Sequence, residues 1–567
     1  MKRLEAMTLE EKIGQKLLFG WQADDAAGVS LSEGYPGTAP ESAATAVNAH
    51  ALRLLRDWKV GGVILMGRNV ESPVQVAALH NAVQAECDIP AFFSTDQEGG
   101  HVCRMKKPFT MMPGAMPLGA TRDPTLAEHA AAAVSAELSA IGINLDFAPD
   151  ADVNNNPDNP IIGVRSYGED PALVARMVAA QVKGYQSNGT IACAKHFPGH
   201  GDTAVDSHLG LASLPWTMDR LRKVELPPFI AAIEAGVDFV MTAHIIFEAI
   251  DPDRPGTLSP KVVDGLLRGD LGYKGVVITD CMEMKGVISK YGIGEAAVLA
   301  VEAGVDILAA CHTPSRQEEI RTALLEAVRS GRIPEARIDD SVARILACKA
   351  KYNLDARRVV DGDAVMKVVG CVEHRALEQD IARKSITLVK DEAGRIPLPP
   401  GKILVVGPPD PACALAEEIA STRLFHSLDT APVEHAGIGP AFTDKQLTEV
   451  ARKSAGATAT VVLTKHKEPW TPVPQDEAAQ AEMIKGMVAL GKPVVVVAIR
   501  NPYDIRHFPE APTYLCTYGY TAASLTALAE VLIGAVKPTG KLPVTLPMDG
   551  AAPIPAAVEE DTTEWGF

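Results

Sequence analysis

Short apolar runs recur along the first 310 residues, each closed by a polar or glycine turn and followed by a stretch with helical spacing. They are residues 16–20 (KLLFG), 62–66 (GVILM), 91–96 (AFFSTD), 144–150 (NLDFAPD), 191–196 (IACAKH), 239–244 (FVMTAH), 276–280 (VVITD) and 307–310 (ILAA). Between them lie segments rich in Ala, Glu, Leu and Val, such as residues 126–140 and 172–185, which read as helices. Eight strand–helix alternations predict a (β/α)8 barrel, closed by a helix over residues 337–352. The barrel domain is therefore placed at residues 1–352, and the weakly periodic stretch 353–372 reads as a linker. A second pattern follows over residues 373–567. A helix at 373–384 precedes continuously apolar runs at 385–390, 402–407, 460–463, 494–499 and around 514–517, with a helix at 477–490 among them. Unbroken apolar strands alternating with helices predict a doubly wound α/β sandwich with a largely parallel sheet. The tail after Pro547 is rich in Ala, Pro and acid and has no period.

The barrel runs repeatedly end in an ionisable residue: Asp96, Asp150, His196, His244 and Asp280. A parallel barrel puts every strand's C-terminal end on one face, so these side chains are expected to converge on one site. The competing explanation is that an aspartate at a strand end caps the next helix. The densest chemistry stands in residues 190–214, TIACAKHFPGHGDTAVDSHLGLASL. There a short strand opens into a loop carrying Lys195, His196, His200, Asp202, Asp206 and His208 between glycines.

Composition narrows the classes of partner. The formal charge of −17 argues against nucleic acid or an anionic membrane surface. No segment has the apolar length of a bilayer span, and the N-terminal residues read as an amphipathic helix without a signal-peptide h-region. Nine scattered cysteines without a CxxC pair suit reduced thiols and a cytoplasmic location.

Several patterns fail on inspection. GIGPAF at 437–442 has Phe where a dinucleotide loop needs its third glycine, and TGKLPV at 539–544 lacks the first glycine of a P-loop. Asp150, Asp152 and Asn154 begin like a calcium loop, but Asn155 and Ile161 occupy its glycine and glutamate positions. A zinc site from His196, His200 and His208 would lack regular ligand spacing, and no metal or organic cofactor is expected. Asp280, at the end of an apolar strand, is a rigidly presented carboxylate that can act as nucleophile toward an electrophilic carbon. Asp206 stands two residues from His208, a spacing that lets it orient the ring and stabilise its charged form. A nucleophile with a proton shuttle fits group transfer at an acetal or an ester.

Four stretches carry a specific resemblance: AKHFPGHGDTAVDSH at 194–208, STDQEGGHVCR at 94–104, NPIIGVRSYGEDP at 159–171 and GVVITDCMEMKGV at 275–287. They resemble glycoside hydrolase family 3, in its β-N-acetylglucosaminidase branch. RNPYD at 500–504 and PTGKLPVTLP at 538–547 resemble the second domain of its two-domain members. The resemblance implies that Asp280 is the nucleophile of a retaining mechanism. It implies too that His208 is the general acid/base and Asp206 its orienting partner, in place of the usual second carboxylate. Asp96, Arg104, Arg165, Lys195 and His196 match sugar-binding positions, and the glycines flanking His200 suggest a lid that brings His208 in. The chain departs from the family at His101 and Cys103, where relatives usually carry Arg and Gln.

The implied activity is removal of terminal β-linked N-acetylglucosamine from peptidoglycan fragments or chitooligosaccharides, by a monomer or homodimer. A β-N-acetylglucosaminide phosphorylase is the nearest alternative, because a histidine repels phosphate less than a glutamate would. A β-glucosidase or β-xylosidase of the same family, or a silent sugar-binding protein, are the others.

Overall fold

A computed structural model describes residues 2–23, 44–204, 211–392, 394–428, 430–438, 443–465, 477–489, 491 and 493–547. The eight barrel strands are β1 (Leu17–Phe19), β2 (Gly62–Ile64), β3 (Phe92–Thr95), β4 (Leu145–Asp146), β5 (Ile191–Phe197), β6 (Phe239–Thr242), β7 (Val276–Cys281) and β8 (Ile307–Ala310). They pair in chain order, all parallel, and β8 closes on β1 through Leu17 opposite Leu308. Each expected apolar run thus supplies one strand; β1 to β4 and β6 are shorter than their runs, β8 matches its run, and β5 and β7 extend one residue beyond theirs.

The helices between strands start where their sequence tells them to. Asp123 and Asp170 each precede a proline at the first helical position, and each carboxylate accepts a backbone N–H two residues on, from Thr125 (2.9 Å) and Ala172 (3.0 Å). Thr8, Asn48, Ser72 and Thr217 cap other helices of the barrel domain, so its side-chain caps are residues other than those at the strand ends. Inside the barrel Leu18, Ile64, Phe92, Leu145, Ile191, Phe239, Val276 and Ile307 form one layered core. Lys349 plugs its N-terminal end, donating to Gln15 Oε1 (2.7 Å) and the Gly61 carbonyl (2.8 Å) over the Phe92 ring. Burial pushes that lysine down to about 7.

The second sheet contains β9 (Thr387–Asp391), β10 (Ile403–Gly407), β11 (Val433–Gly437), β12 (Ala459–Thr464), β13 (Val494–Ala498) and β14 (Thr513–Cys516). Its order is β9-β14-β13-β12-β10-β11, parallel throughout except for the antiparallel pair of β9 with β14. The expected sandwich is present, with one strand more than the pattern revealed. That strand, β11, is a half-exposed edge of sequence VEHAG, so it has neither an unbroken apolar run nor alternation to betray it.

The second sheet's domain braces the barrel's upper rim. Asn154 Nδ2 donates to the Tyr503 hydroxyl at 2.9 Å, and Arg506 reaches Asp158 at 2.7 Å. The Glu169 backbone N–H donates to the Pro543 carbonyl at 3.1 Å. No helix among the described residues is long and apolar enough to cross a membrane. All nine cysteines are thiols.

Candidate active site

The strand-end residues stand at one mouth of the barrel, and most are joined by a continuous chain of charges. Asp96, just past β3, receives Lys195 Nζ at 3.1 Å and Arg104 Nη2 at 3.2 Å. Lys195, near the end of β5, is buried and also reaches Glu98 Oε1 at 2.6 Å. Glu98 takes Arg165 in a two-pronged pair, Nε to Oε2 at 2.9 Å and Nη2 to Oε1 at 2.8 Å. From there Arg165 Nη2 lies 3.6 Å from Asp150 Oδ2 and 3.5 Å from His196 Nε2. The other ring nitrogen, His196 Nδ1, meets Asp152 Oδ2 at 2.7 Å. A guanidinium only donates, so His196 accepts at Nε2 and gives its Nδ1 proton to Asp152.

These charges set one another's protonation. Burial works against the anionic form of Asp96, but Lys195 and Arg104 outweigh it and hold the group below the ordinary carboxylate range. The same contest, won by Arg165 and Lys195, holds Glu98 lower still. Lys195 and Arg165 are raised, because Glu98 overcomes the cost of their burial. Asp150 and Asp152 divide the opposite way. Burial, with Asp152 beside it, drives Asp150 well up, whereas His196 overcomes burial at Asp152 and keeps it low. Asp146, on β4 beneath this network, is pushed up to about 8 by burial.

This changes the emphasis among the expected sugar-binding residues. Lys195 and Arg165 spend most of their donors on Glu98, and only about a twelfth or less of either side chain is exposed. Asp96 and Arg104 are the open part, with 15% and 33% of their side chains accessible. A carboxylate with two cations behind it and lone pairs left over is suited to accept two sugar hydroxyls.

Asp280 lies one position before the end of β7, half-buried, and its Oδ1 accepts the Cys281 N–H at 2.6 Å. His244, just past β6, donates from Nε2 to the Cys281 carbonyl at 3.1 Å and places Nδ1 2.8 Å from Thr257 Oγ1. The expected convergence therefore includes His244, which steadies the backbone that carries Asp280. Asp206 and His208 lie outside the described residues. What leads into them is tightly built: the His200 N–H donates to Asp152 Oδ1 at 2.6 Å, and Asn159 Nδ2 donates to the carbonyls of His200 and Gly201, each at 2.9 Å.

The glycines beside His200 have a packing reason. Gly199 holds a φ of +142°, and a Cβ on Gly201 would stand 1.7 Å from the Val153 carbonyl oxygen. The His200 ring is buried, with Nδ1 2.8 Å from Thr203 Oγ1, and burial pushes it down to about 4.

Glu98 and Asp152 were not singled out by sequence reasoning. Each sat in a stretch already under suspicion, Glu98 in STDQEGGHVCR and Asp152 in the rejected calcium-loop pattern. The usable signal was an excess of donors, since the cations Lys195 and Arg165 and the ring N–H of His196, gathered at one buried mouth, require more carboxylate than Asp96 provides.

Comparison with known proteins agrees with the two-domain fold. Residues 8–348 match the glycosyl hydrolase family 3 N-terminal domain, and residues 386–563 match its C-terminal domain. The chain is 30% identical over 590 residues to beta-hexosaminidase A of Pseudoalteromonas piscicida, covering 95% of this chain and 97% of that one. A beta-hexosaminidase of Stenotrophomonas maltophilia strain K279a is 39% identical over 267 residues, 45% of this chain and 79% of the relative. Among solved structures, a family 3 β-N-acetylglucosaminidase from Paenibacillus sp. strain FPU-7 superposes with a TM-score of 0.83 at 37% identity, covering 95% of this chain and 99% of its own. A β-glucoside phosphorylase superposes with a TM-score of 0.80 at 25% identity, over 96% of this chain and 95% of its own.

Proposed function

Because this chain belongs to glycoside hydrolase family 3, we propose that it is a retaining exo-β-N-acetylglucosaminidase, with Asp280 as nucleophile and His208 as general acid/base. The observation that carries the reading is the placing of Asp280 on a rigid barrel strand. It opens onto the same mouth as the Asp96–Lys195–Glu98–Arg165 network. Such a mouth can hold a sugar by its hydroxyls while a carboxylate faces its anomeric carbon.

In the first step an Asp280 oxygen attacks that carbon, the glycosidic C–O bond breaks, and its electron pair goes to the leaving oxygen. The proton for that oxygen comes from His208, which Asp206 orients and helps keep protonated. In the second step His208 takes a proton from water, the resulting oxygen attacks the same carbon, and Asp280 leaves as a carboxylate. Two inversions give net retention. Asp96 and Arg104 bind the sugar's hydroxyls directly. Lys195, Arg165 and His196 reach it with the donors that Glu98 and Asp152 leave over, and otherwise hold Asp96 and its neighbours in place. Neither step calls for a metal or an organic cofactor. Muropeptide fragments and chitooligosaccharides both present the required terminal sugar.

A phosphorylase is the second reading, favoured by the phosphorylase among the structural neighbours and by a proposed acid/base that is a histidine, which repels phosphate less than a glutamate would. The test is release of nitrophenol from p-nitrophenyl β-N-acetylglucosaminide with and without inorganic phosphate, with the sugar product identified. Free N-acetylglucosamine at a rate independent of phosphate supports the hydrolase. Sugar 1-phosphate at a rate that climbs with phosphate replaces it with the phosphorylase, and turnover of the β-glucoside alone overturns both.

A further inference from the structure

Directly beside Asp280 stands a donor set that the hydrolytic reading does not use. Cys281 ends β7, and Cys311 and His312 follow β8, the parallel neighbour of β7 in the barrel. The two sulfurs and one ring nitrogen of His312 all lie within 4.8 Å of one another. Ligand atoms around a single tetrahedral zinc ion stand about 3.5–3.8 Å apart, so small rotations would bring these three onto one cation. Glu283 completes the surroundings: its Oε2 lies 3.8 Å from Cys281 Sγ, while its two oxygens accept the N–H groups of His312 (2.6 Å) and Thr313 (2.8 Å). Cys311 is buried, but Cys281 and His312 are half-exposed, so the set opens onto the barrel mouth.

We propose that Cys281, Cys311 and His312 form a site for one thiophilic divalent cation of the zinc or cadmium type, whose occupancy blocks the nucleophile next to it. Two thiolates and an imidazole are the donors that soft and borderline cations select over magnesium or calcium. Binding replaces two S–H bonds by two metal–sulfur bonds and releases both protons to the buffer. Charge is balanced locally, because the two thiolates neutralise the cation and Glu283 offsets the nearby Arg68. That arginine donates from Nη1 to His312 Nδ1 at 3.2 Å and from Nη2 to the Cys311 carbonyl at 2.6 Å. Its first bond shows that Nδ1 presents a lone pair, and His312 joins the cation by exchanging that one bond for the metal. A cation held by Cys281 sits one residue from Asp280, where its field and bulk both oppose attack on a sugar.

The test is titration of the whole protein, reduced with a phosphine, with Cd²⁺ in the absence of substrate. One equivalent should raise a cadmium–thiolate charge-transfer band in the ultraviolet, and the same equivalent should abolish nitrophenol release until a chelator restores it. Cys281→Ser and Cys311→Ala should each weaken binding about a hundredfold or more, whereas Cys371→Ser, far along the chain, should bind as the parent does. The band is read without turnover, so it stands apart from the assignment of Asp280. No band at one equivalent, or a band that survives both substitutions, overturns the site. A band with undiminished turnover overturns the blockade.

Discussion

Glu98 grips Arg165 through both carboxylate oxygens, at 2.9 and 2.8 Å, with less than a tenth of either side chain exposed. The same carboxylate holds Lys195 at 2.6 Å, so one anion restrains two buried cations behind the partly exposed Asp96. Breaking a buried pair from one side costs about 3–5 kcal/mol, because the partner charge is left uncompensated. Glu98→Gln should therefore lower the melting temperature and raise KM more than it lowers kcat, since the loss falls on the cradle and not on Asp280. Denaturation and steady-state kinetics on the same preparation check this. A variant with parental stability and KM would show that the pair has no such role.

His208 should reveal itself through the leaving group. A general acid supplies about 10²–10⁴ in rate when the departing oxygen is basic, and little when it is nitrophenolate. His208→Ala should cleave p-nitrophenyl β-N-acetylglucosaminide in a rapid burst of about one equivalent, then turn over slowly because water lacks its base. Natural oligosaccharides should lose activity in the first step. Equal loss on both substrates, with no burst, would assign the histidine elsewhere.

The fold itself should weaken in mild acid through His80. Burial pushes that imidazole down to about 4 from 6.5, outweighing the bond from Nε2 to the Arg357 carbonyl. Between those two values the unfolded chain binds a proton that the folded chain refuses, so stability is present above pH 6.5 and falls as the pH drops toward 4. At one pKa unit to 1.36 kcal/mol the loss is at most about 3 kcal/mol. His80→Gln keeps the donor and removes the titration, so its melting temperature should fall less steeply from pH 7 to pH 4. Parallel slopes for parent and variant would contradict the buried, neutral ring.

The barrel was legible because its strands are short apolar runs with ionisable ends, spaced by helices that begin at Asp-Pro pairs such as Asp123-Pro124 and Asp170-Pro171. The candidate site was legible where a residue type is unusual in its setting, as with Asp280 after four apolar or hydroxyl positions. Glu98 and Asp152 were harder, since their importance lies in which donors they meet, and that depends on segments separated by 67 and 44 residues coming together. The close approach of Gly201 to Val153, and the bracing of Asn154 by Tyr503 from the other domain, are likewise properties of packing that no local pattern encodes.

The central claim is that a sugar becomes attached to Asp280. A slowly released fluorinated β-N-acetylglucosaminide, mixed with the enzyme, quenched in acid and digested, allows the modified peptide to be found by mass spectrometry. The expected result is one sugar mass on the peptide containing Asp280, absent in Asp280→Asn, whose turnover should also fall by about 10⁴ or more. A sugar on any other residue, or an Asp280→Asn enzyme that keeps its activity, would contradict the account.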